Sequence, residues 1–308
     1  MSVQRSRLAP SPTGALHIGN ACSFLINWAL ARKNNWDLIL RMEDLVGPRI
    51  NLSSINDTQA ILTWLGVDWD GEMVLQSEDL TPYQKGLDEL ISLSQAYHCN
   101  LSRKEIEQVA SAPHKDDSLG RQTIRPVDIQ LHNEQWNKQP TNWRFCVDDT
   151  THILHDELLG EQQFEKLADF VIWTKNDTPA YQLAVVIDDA RQGVTDVVRG
   201  HDLLESAAWQ SQLYTALGFH EPKWWHVPLV IGEDGLRLAK RHGDTRLLTY
   251  YNKGMQPEKV IGLIAKWCNI TKLHESISSS EFLQGFDIRQ VSTEDIVFTK
   301  EDEQWLLA

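Results

Sequence analysis

The chain has 308 residues, a length whose prior is about two domains. Its 29 Lys and Arg against 43 Asp and Glu leave a formal net charge of −14, which argues against a general nucleic-acid coat or a protein that lies on anionic membranes. With 42% hydrophobic and 23% charged residues, the composition is that of an ordinary globular chain and not a disordered one.

No apolar run approaches the ~20 residues of a membrane span, and Met1-Ser2-Val3-Gln4-Arg5 has no secretory apolar core. Cys22, Cys99, Cys146 and Cys268 stand far apart with no CxxC pair, so a reduced, cytoplasmic protein is expected.

In chain order, a short strand from about Val3 to Ala9 runs into the turn-rich Pro10-Ser11-Pro12-Thr13-Gly14. An amphipathic helix follows from near His17 to Lys33, with Ala21, Phe24, Leu25, Trp28 and Ala29 at helical spacing, and then a strand at Leu38-Ile39-Leu40. Strand, helix and strand in that order read as a βαβ unit with a parallel sheet. Helices are expected at about 54–65 and 82–96, the latter with Thr81 as N-cap and Pro82 at the first helical position. Ser102-Arg103-Lys104-Glu105 has capping-box spacing and should open another helix. Between roughly 97 and 150 the periodicity weakens, which reads as an inserted subdomain. Apolar strands return at Phe170–Thr174, Leu183–Ile187 and Val194–Val198, followed by a helix near 202–217 and a strand at Val227–Ile231. A charged loop occupies 236–246, and 247–308 reads as mostly helical. The division is thus a catalytic-sized α/β unit over 1–250 and a short helical region over 251–308.

The charge is unevenly spread. Residues 1–49 are locally basic through Arg5, Arg7, Arg32, Lys33, Arg41 and Arg49, and 237–246 through Arg237, Lys240, Arg241 and Arg246. Two basic islands far apart in an acidic chain suggest one focused anionic ligand. Gly14, His17, Gly19 and Asn20 fall where the first strand hands over to a helix, and a helix start with free N–H groups suits a phosphate. A lone histidine there is most often only a cap; here the whole string counts.

That string resembles a known family. Arg7-Leu8-Ala9-Pro10-Ser11-Pro12-Thr13-Gly14 with His17-Ile18-Gly19-Asn20 is similar to the HIGH region of class I glutamyl-tRNA synthetases. Leu40-Arg41-Met42-Glu43-Asp44-Leu45 with Pro48-Arg49 resembles the next block of that family. Ala180-Tyr181-Gln182-Leu183-Ala184, the Asp188-Asp189 pair and Val198-Arg199-Gly200-His201-Asp202-Leu203 resemble the third, and Gly235-Leu236-Arg237-Leu238-Ala239-Lys240-Arg241 stands where the family has its KMSKS loop. Only 67 residues follow Arg241, too few for the family's helical anticodon-binding region. That shortness, Asn20 for the second His and the altered loop resemble the truncated branch, the glutamyl-Q tRNA(Asp) synthetases.

The resemblance implies a Rossmann-like class I catalytic domain with an inserted subdomain, a short helical C-terminal part and no anticodon-binding domain. It implies ATP-dependent activation of L-glutamate, with Mg2+ accompanying the nucleotide, and transfer of glutamate to queuosine at the wobble position of tRNA(Asp) by a monomer. A shortened conventional synthetase charging the tRNA 3′ end, and an inactive tRNA-binding paralogue, are the rival readings. The attacking group is a carboxylate, so positioning and neutralisation of phosphate charge must carry catalysis. His17 and Lys240 are the expected catalytic residues, with Pro12, Thr13, Gly14, Gly19, Asn20, Arg237 and Arg241 expected beside ATP. For glutamate, Arg7 and Arg199 suit two carboxylates and Glu43 the ammonium; Ala9, Ser11 and Tyr181 complete the expected set. Which arginine takes which carboxylate stays open, and Asp44, Asp188 and Asp189 are read as structural in preference to metal-linked. Many relatives bind zinc in the insertion through a Cys-x-Cys pair. Cys99-Asn100-Leu101 keeps only the first cysteine, and His98 and His114 do not complete four soft ligands, so no zinc is expected. Trp136, Trp143, Trp224 and Trp225 are considered as stacking surfaces for an anticodon base, but such tryptophans are more often core and that is the expected role of each.

Overall fold

A computed structural model describes residues 3–12, 16–45, 52–101, 125–148, 151–238 and 245–308. The chain opens with the expected βαβ unit: β1 (Arg5–Leu8), α1 (Ile18–Lys33) and β2 (Asp37–Met42), the strands parallel with Arg5 opposite Asp37 and Leu8 opposite Leu40. After α2 (Leu52–Trp64), β3 (Val74–Leu75) adds to the free edge of β2. Helix α3 (Thr81–Ser92) begins at Thr81, which is therefore helical and not the cap. Leu80 holds the cap position without a side-chain bond, and Asp79 Oδ1 accepts the Thr81 N–H instead, at 2.9 Å.

The insertion is built on β4 (Ala96–Cys99), α4 (Ile129–Glu134) and β5 (Asn142–Phe145). A hairpin that the sequence did not reveal follows, β6 (His152–Asp156) and β7 (Gly160–Phe164). Then β8 (Phe170–Thr174) and β9 (Thr178–Pro179) complete an antiparallel sheet in the order β4-β5-β8-β9. The antiparallel sheet thus runs on to Pro179, beyond the expected insertion. The helix expected to open at Ser102 lies outside the described residues.

Helix α5 (Tyr181–Arg191) stands where a strand was expected at Leu183–Ile187. Leu183 through Asp189 are all buried, so the helix is enclosed around its circumference and Leu183–Ile187 shows the continuous apolar run of a buried strand. Strand β10 (Asp196–Gly200), α6 (Leu204–Ala216) and β11 (Lys223–Val227) follow, with β10 and β11 parallel. The single strand expected at Val227–Ile231 is two, because Pro228 has no N–H to give a ladder; β12 (Val230–Gly232) starts beyond it. Next come α7 (Leu247–Asn252), α8 (Pro257–Trp267) and α9 (Ser279–Gly285). Strand β13 (Ile296–Phe298), a strand in the region read as helical, pairs parallel with β12 before α10 (Lys300–Leu307).

Strand β1 lies beside β10: the Thr195 N–H donates to the Arg5 carbonyl at 2.9 Å, and the Arg5 N–H donates to Thr195 Oγ1 at 2.8 Å. The carboxyl ends of β1, β2 and β10 therefore open at one edge, the place where parallel α/β sheets collect ligands. One apolar cluster joins Leu8, Ile18, Leu25 and Leu40 to Leu247, Leu263, Phe282 and Phe298, so the C-terminal helices pack into the same core as the first βαβ unit.

Candidate active site

A cavity of about 680 Å³ opens at that edge, and it draws its walls from distant parts of the chain. Arg7, Ala9, Ser11 and Glu43 come from the ends of β1 and β2, His17, Gly19 and Asn20 from the start of α1, Tyr181 from the start of α5, Arg199 from β10, and Arg237 from the loop after β12. All these sequence-expected positions share one space. Pro12 is buried and does not line it. Thr13, Gly14, Lys240 and Arg241 lie outside the described residues.

The start of α1 departs from expectation. His17 is the N-cap: its Nδ1 accepts the Gly19 N–H at 3.1 Å, and its own N–H donates to Asn20 Oδ1 at 2.9 Å. The Ile18 N–H goes to the Thr245 carbonyl at 3.0 Å and the Asn20 N–H to the His17 carbonyl at 2.9 Å. The first-turn donors are thus already used, and this helix end offers a phosphate no free backbone N–H at Ile18, Gly19 or Asn20. What it offers is the imidazole. Burial, then the nearby Arg237 charge, hold His17 below its ordinary pKa, so the ring is neutral. With Nδ1 accepting, the proton sits on Nε2 and His17 is a hydrogen-bond donor at the cavity wall. Gly19 permits this: a Cβ there would lie 3.0 Å from His17 Cε1.

Beneath the cavity is a buried ion network. Arg41, fully buried, places Nη1 2.6 Å from Asp189 and Nη2 3.2 Å from Glu43. Arg7 Nε is 3.3 Å from Asp189 Oδ1 and its Nη1 donates to the Val198 carbonyl at 3.3 Å. Asp188 accepts from Tyr83, Gln76 and Arg191, the last at 2.7 Å. Burial works against the Asp189 charge, but Arg41 and Arg7 outweigh it and hold that carboxyl below the ordinary range. At Glu43 the balance falls the other way: burial pushes its carboxyl up, and Arg41 and Arg7 offset only part of that. Asp44 ties a loop, accepting from Ser77 N–H at 2.9 Å and from its hydroxyl at 2.5 Å. The three acids expected to be structural therefore all have structural partners.

Arg199 is different. It is 6% exposed, yet among the described residues no carboxylate pairs with it. Its Nε donates to His226 Nε2 at 3.1 Å, Nη1 to Gln210 Oε1 at 2.9 Å and Nη2 to the Leu203 carbonyl at 3.3 Å, all neutral oxygen or nitrogen acceptors. Its guanidinium lies 5.0 Å from the Trp224 ring centroid. Burial depresses its pKa, and Arg7 pushes the same way. Arg7, Arg41 and Arg191 each contact Asp188, Asp189 or Glu43 directly, whereas Arg199 meets Asp156 only through the neutral His226 ring; among the described residues it is the arginine of this wall with no carboxylate in contact, and in that sense its charge is surplus. Tyr181 stays a neutral phenol because burial raises its pKa.

Arg237 pairs with Asp202, which also lines the cavity. Leu238 lines it too, and beyond 239–244 the Thr245 carbonyl accepts from the Ile18 N–H at the start of α1.

Other expected sites fare differently. Trp143 and Trp224 are buried in the core and offer no open stacking surface, whereas Trp136, edge-on to Trp143 at 5.0 Å, and Trp225, which donates to Asp196 at 3.0 Å, are half-buried. Cys99 and Cys146 pack against Tyr97, and burial raises the Cys146 thiol to about 12. His98 stacks on His132, and His114 lies outside the described residues. Among the described residues no group of three His, Cys, Asp or Glu is placed to hold a metal. Sequence reading missed His226, Asp156 and Gln210, which touch Arg199 or its partner and belong to no local motif. Strand register reveals His226 and Asp156, and the packing of the helix Leu204–Ala216 beside Arg199 reveals Gln210.

Residues 3–305 match the model of the class I tRNA synthetase (E and Q) catalytic domain. The glutamyl-Q tRNA(Asp) synthetase of Rhodopirellula baltica is 42% identical over 280 residues, 86% of this chain and 85% of that one. Glutamate–tRNA ligase 2 of Halorhodospira halophila is 34% identical over 99% of this chain, but the match covers 66% of that longer protein. A glutamate tRNA ligase from Elizabethkingia meningosepticum, solved in complex with its amino acid, superposes with a TM-score of 0.81 at 26% identity over 98% of this chain and 68% of that one. Fold, cavity and sequence agree: the chain belongs to the class I tRNA synthetases of the E and Q catalytic-domain family.

Proposed function

We propose that the protein activates L-glutamate with ATP and transfers it to queuosine at the wobble position of tRNA(Asp). The observation that carries the reading is the surplus charge of Arg199 in a cavity that also holds Glu43. Glutamate brings two carboxylates and one ammonium, a net charge of −1, which the surplus guanidinium neutralises. Arg199 takes a carboxylate, and Glu43 takes the ammonium, whose charge favours the ionised carboxylate that burial disfavours. Arg7 is held by Asp189 and adds field to the same wall; Tyr181 and Ser11 offer neutral hydrogen bonds, and Ala9 keeps the strand end close.

In the first step a glutamate carboxylate oxygen bonds to the α-phosphorus and the bond to pyrophosphate breaks. The nucleophile is already an anion, so no protein base is required. The Nε2–H of His17 donates to the phosphates, with Arg237, Lys240 and Arg241 neutralising charge from the loop. Magnesium enters as part of the nucleotide substrate. In the second step a hydroxyl of the queuosine ring attacks the acyl carbon, AMP leaves with the bonding electrons, and the hydroxyl proton passes to solvent. The relative that is 42% identical, matched over most of its length, favours this acceptor; the longer ligases favour the tRNA 3′ end.

Transfer of labelled glutamate to tRNA(Asp), with and without queuosine, separates them. Labelling is expected only in the queuosine-bearing tRNA and should vanish after periodate destroys the cis-diol of its ring. Labelling of the terminal adenosine in both tRNAs would establish a shortened conventional synthetase instead.

A further inference from the structure

The neutral seat of Arg199 is itself built by strand register. Parallel pairing sets Arg199 of β10 opposite His226 of β11, and Trp224 of β11 opposite Asp156 of β6. Side chains alternate along a strand, so Trp224 and His226 share the face of Arg199. Asp156 then reaches sideways: its Oδ2 is 2.7 Å from His226 Nδ1 and accepts the His226 backbone N–H at 3.0 Å. Its Oδ1 accepts from Leu158 at 3.0 Å and Leu159 at 2.8 Å, which locks the carboxylate in place. Both Asp156 and His226 are buried.

This geometry decides the tautomer. A carboxylate only accepts, so Nδ1 must carry the proton, and Nε2 presents a lone pair to the Arg199 Nε–H. On the helical side Gln182 does the same work: Gln210 Nε2 donates to Gln182 Oε1 at 2.7 Å, which turns the Gln210 oxygen to Arg199. A carboxylate in either place would hold the guanidinium as well but would spend its charge. We propose that His226, fixed by Asp156, is a positioning residue that aims the Arg199 guanidinium at the substrate carboxylate while leaving its charge unspent. The inference rests on the assignment of this cavity to glutamate.

Glutamate-dependent ATP–pyrophosphate exchange tests it. His226→Phe removes the acceptor and should raise KM for glutamate about tenfold or more, the usual worth of a hydrogen bond to a charged group, with kcat and KM for ATP within about twofold. His226→Gln, whose carbonyl can face Arg199, should recover most of that loss. Nitrogen-15 spectra of the labelled wild-type protein should show His226 Nε2 unprotonated, a signature that holds even if the Phe variant fails to fold. A folded His226→Phe with unchanged KM for glutamate, equal rises in both KM values, or a protonated Nε2 would overturn the inference. Arg199→Ala is the control: if it too leaves KM for glutamate unmoved, the assignment of the cavity fails and not merely the role of His226.

Discussion

Asp189 lies under the cavity with 0% exposure and receives both Arg7 and Arg41. Neutralising it leaves two buried guanidinium groups short of a partner, a change that costs about 3–5 kcal/mol when a buried pair is broken. Asp189→Asn should lower the midpoint of denaturant unfolding at neutral pH accordingly. The pH dependence follows from the depressed carboxyl. Its stabilisation is present above the unfolded-state value of about 3.9 and is lost as pH falls through the lower folded-state value. Wild type should therefore lose stability more steeply than Asp189→Asn across that acid range; parallel acid limbs would show that the ionised Asp189 contributes nothing. Much of this site was legible as residue types. Arg7, Glu43 and Arg199 could be named because each sits in a string of neighbours with a family pattern. Their division of labour was not legible, because it depends on which arginine has a buried carboxylate beside it, and Asp189 is 182 positions from Arg7.

The start of α1 shows how an element shapes the site. Its cap spends the imidazole Nδ1 on Gly19 and so fixes the other nitrogen as donor. Gly19→Ala would bring a Cβ to 3.0 Å from His17 Cε1 and 3.1 Å from Nδ1. Alanine favours helix by up to about 1 kcal/mol over glycine, so the fold should survive while the ring is displaced. KM for ATP in the exchange assay should rise severalfold with the melting temperature nearly unchanged; an unaltered KM would show that the ring position is unimportant. Element types were readable where start and stop signals were clear, as in β2 and in α1, although α1 is buried on nearly every side and not amphipathic as expected. They were misread where such signals were missing: Val185-Val186-Ile187 is a β-branched run by composition, yet it lies on a helix enclosed on every side. The helix cap itself was read as a free phosphate site because backbone partners such as the Thr245 carbonyl lie far along the chain.

Across the whole molecule, the C-terminal region is bound to the cavity wall. Strand β13 pairs with β12, and Asp295 accepts the Leu229 N–H at 3.2 Å while standing 2.5 Å from His201. Leu229 lines the cavity and His201 follows Gly200 in the third matched block. Asp295→Ala should cost about 1 kcal/mol, since these contacts are partly exposed, which corresponds to a fall of about 2–4 °C in melting temperature. No fall would mean that β13 is held by its ladder and apolar contacts alone. This long-range closure was the least legible feature, because β13 is a three-residue strand between a polar turn and the cap of the next helix.

In the proposed reaction one buried guanidinium, with no carboxylate in contact among the described residues, seats glutamate beside ATP. Glutamate-dependent ATP–pyrophosphate exchange in Arg199→Ala measures it most directly. Removing one partner of a buried charge pair costs about 2–5 kcal/mol, so KM for glutamate should rise about thirtyfold or more with KM for ATP little changed. Exchange that persists in the variant at the wild-type KM, or exchange in the wild type that needs no glutamate, would contradict it.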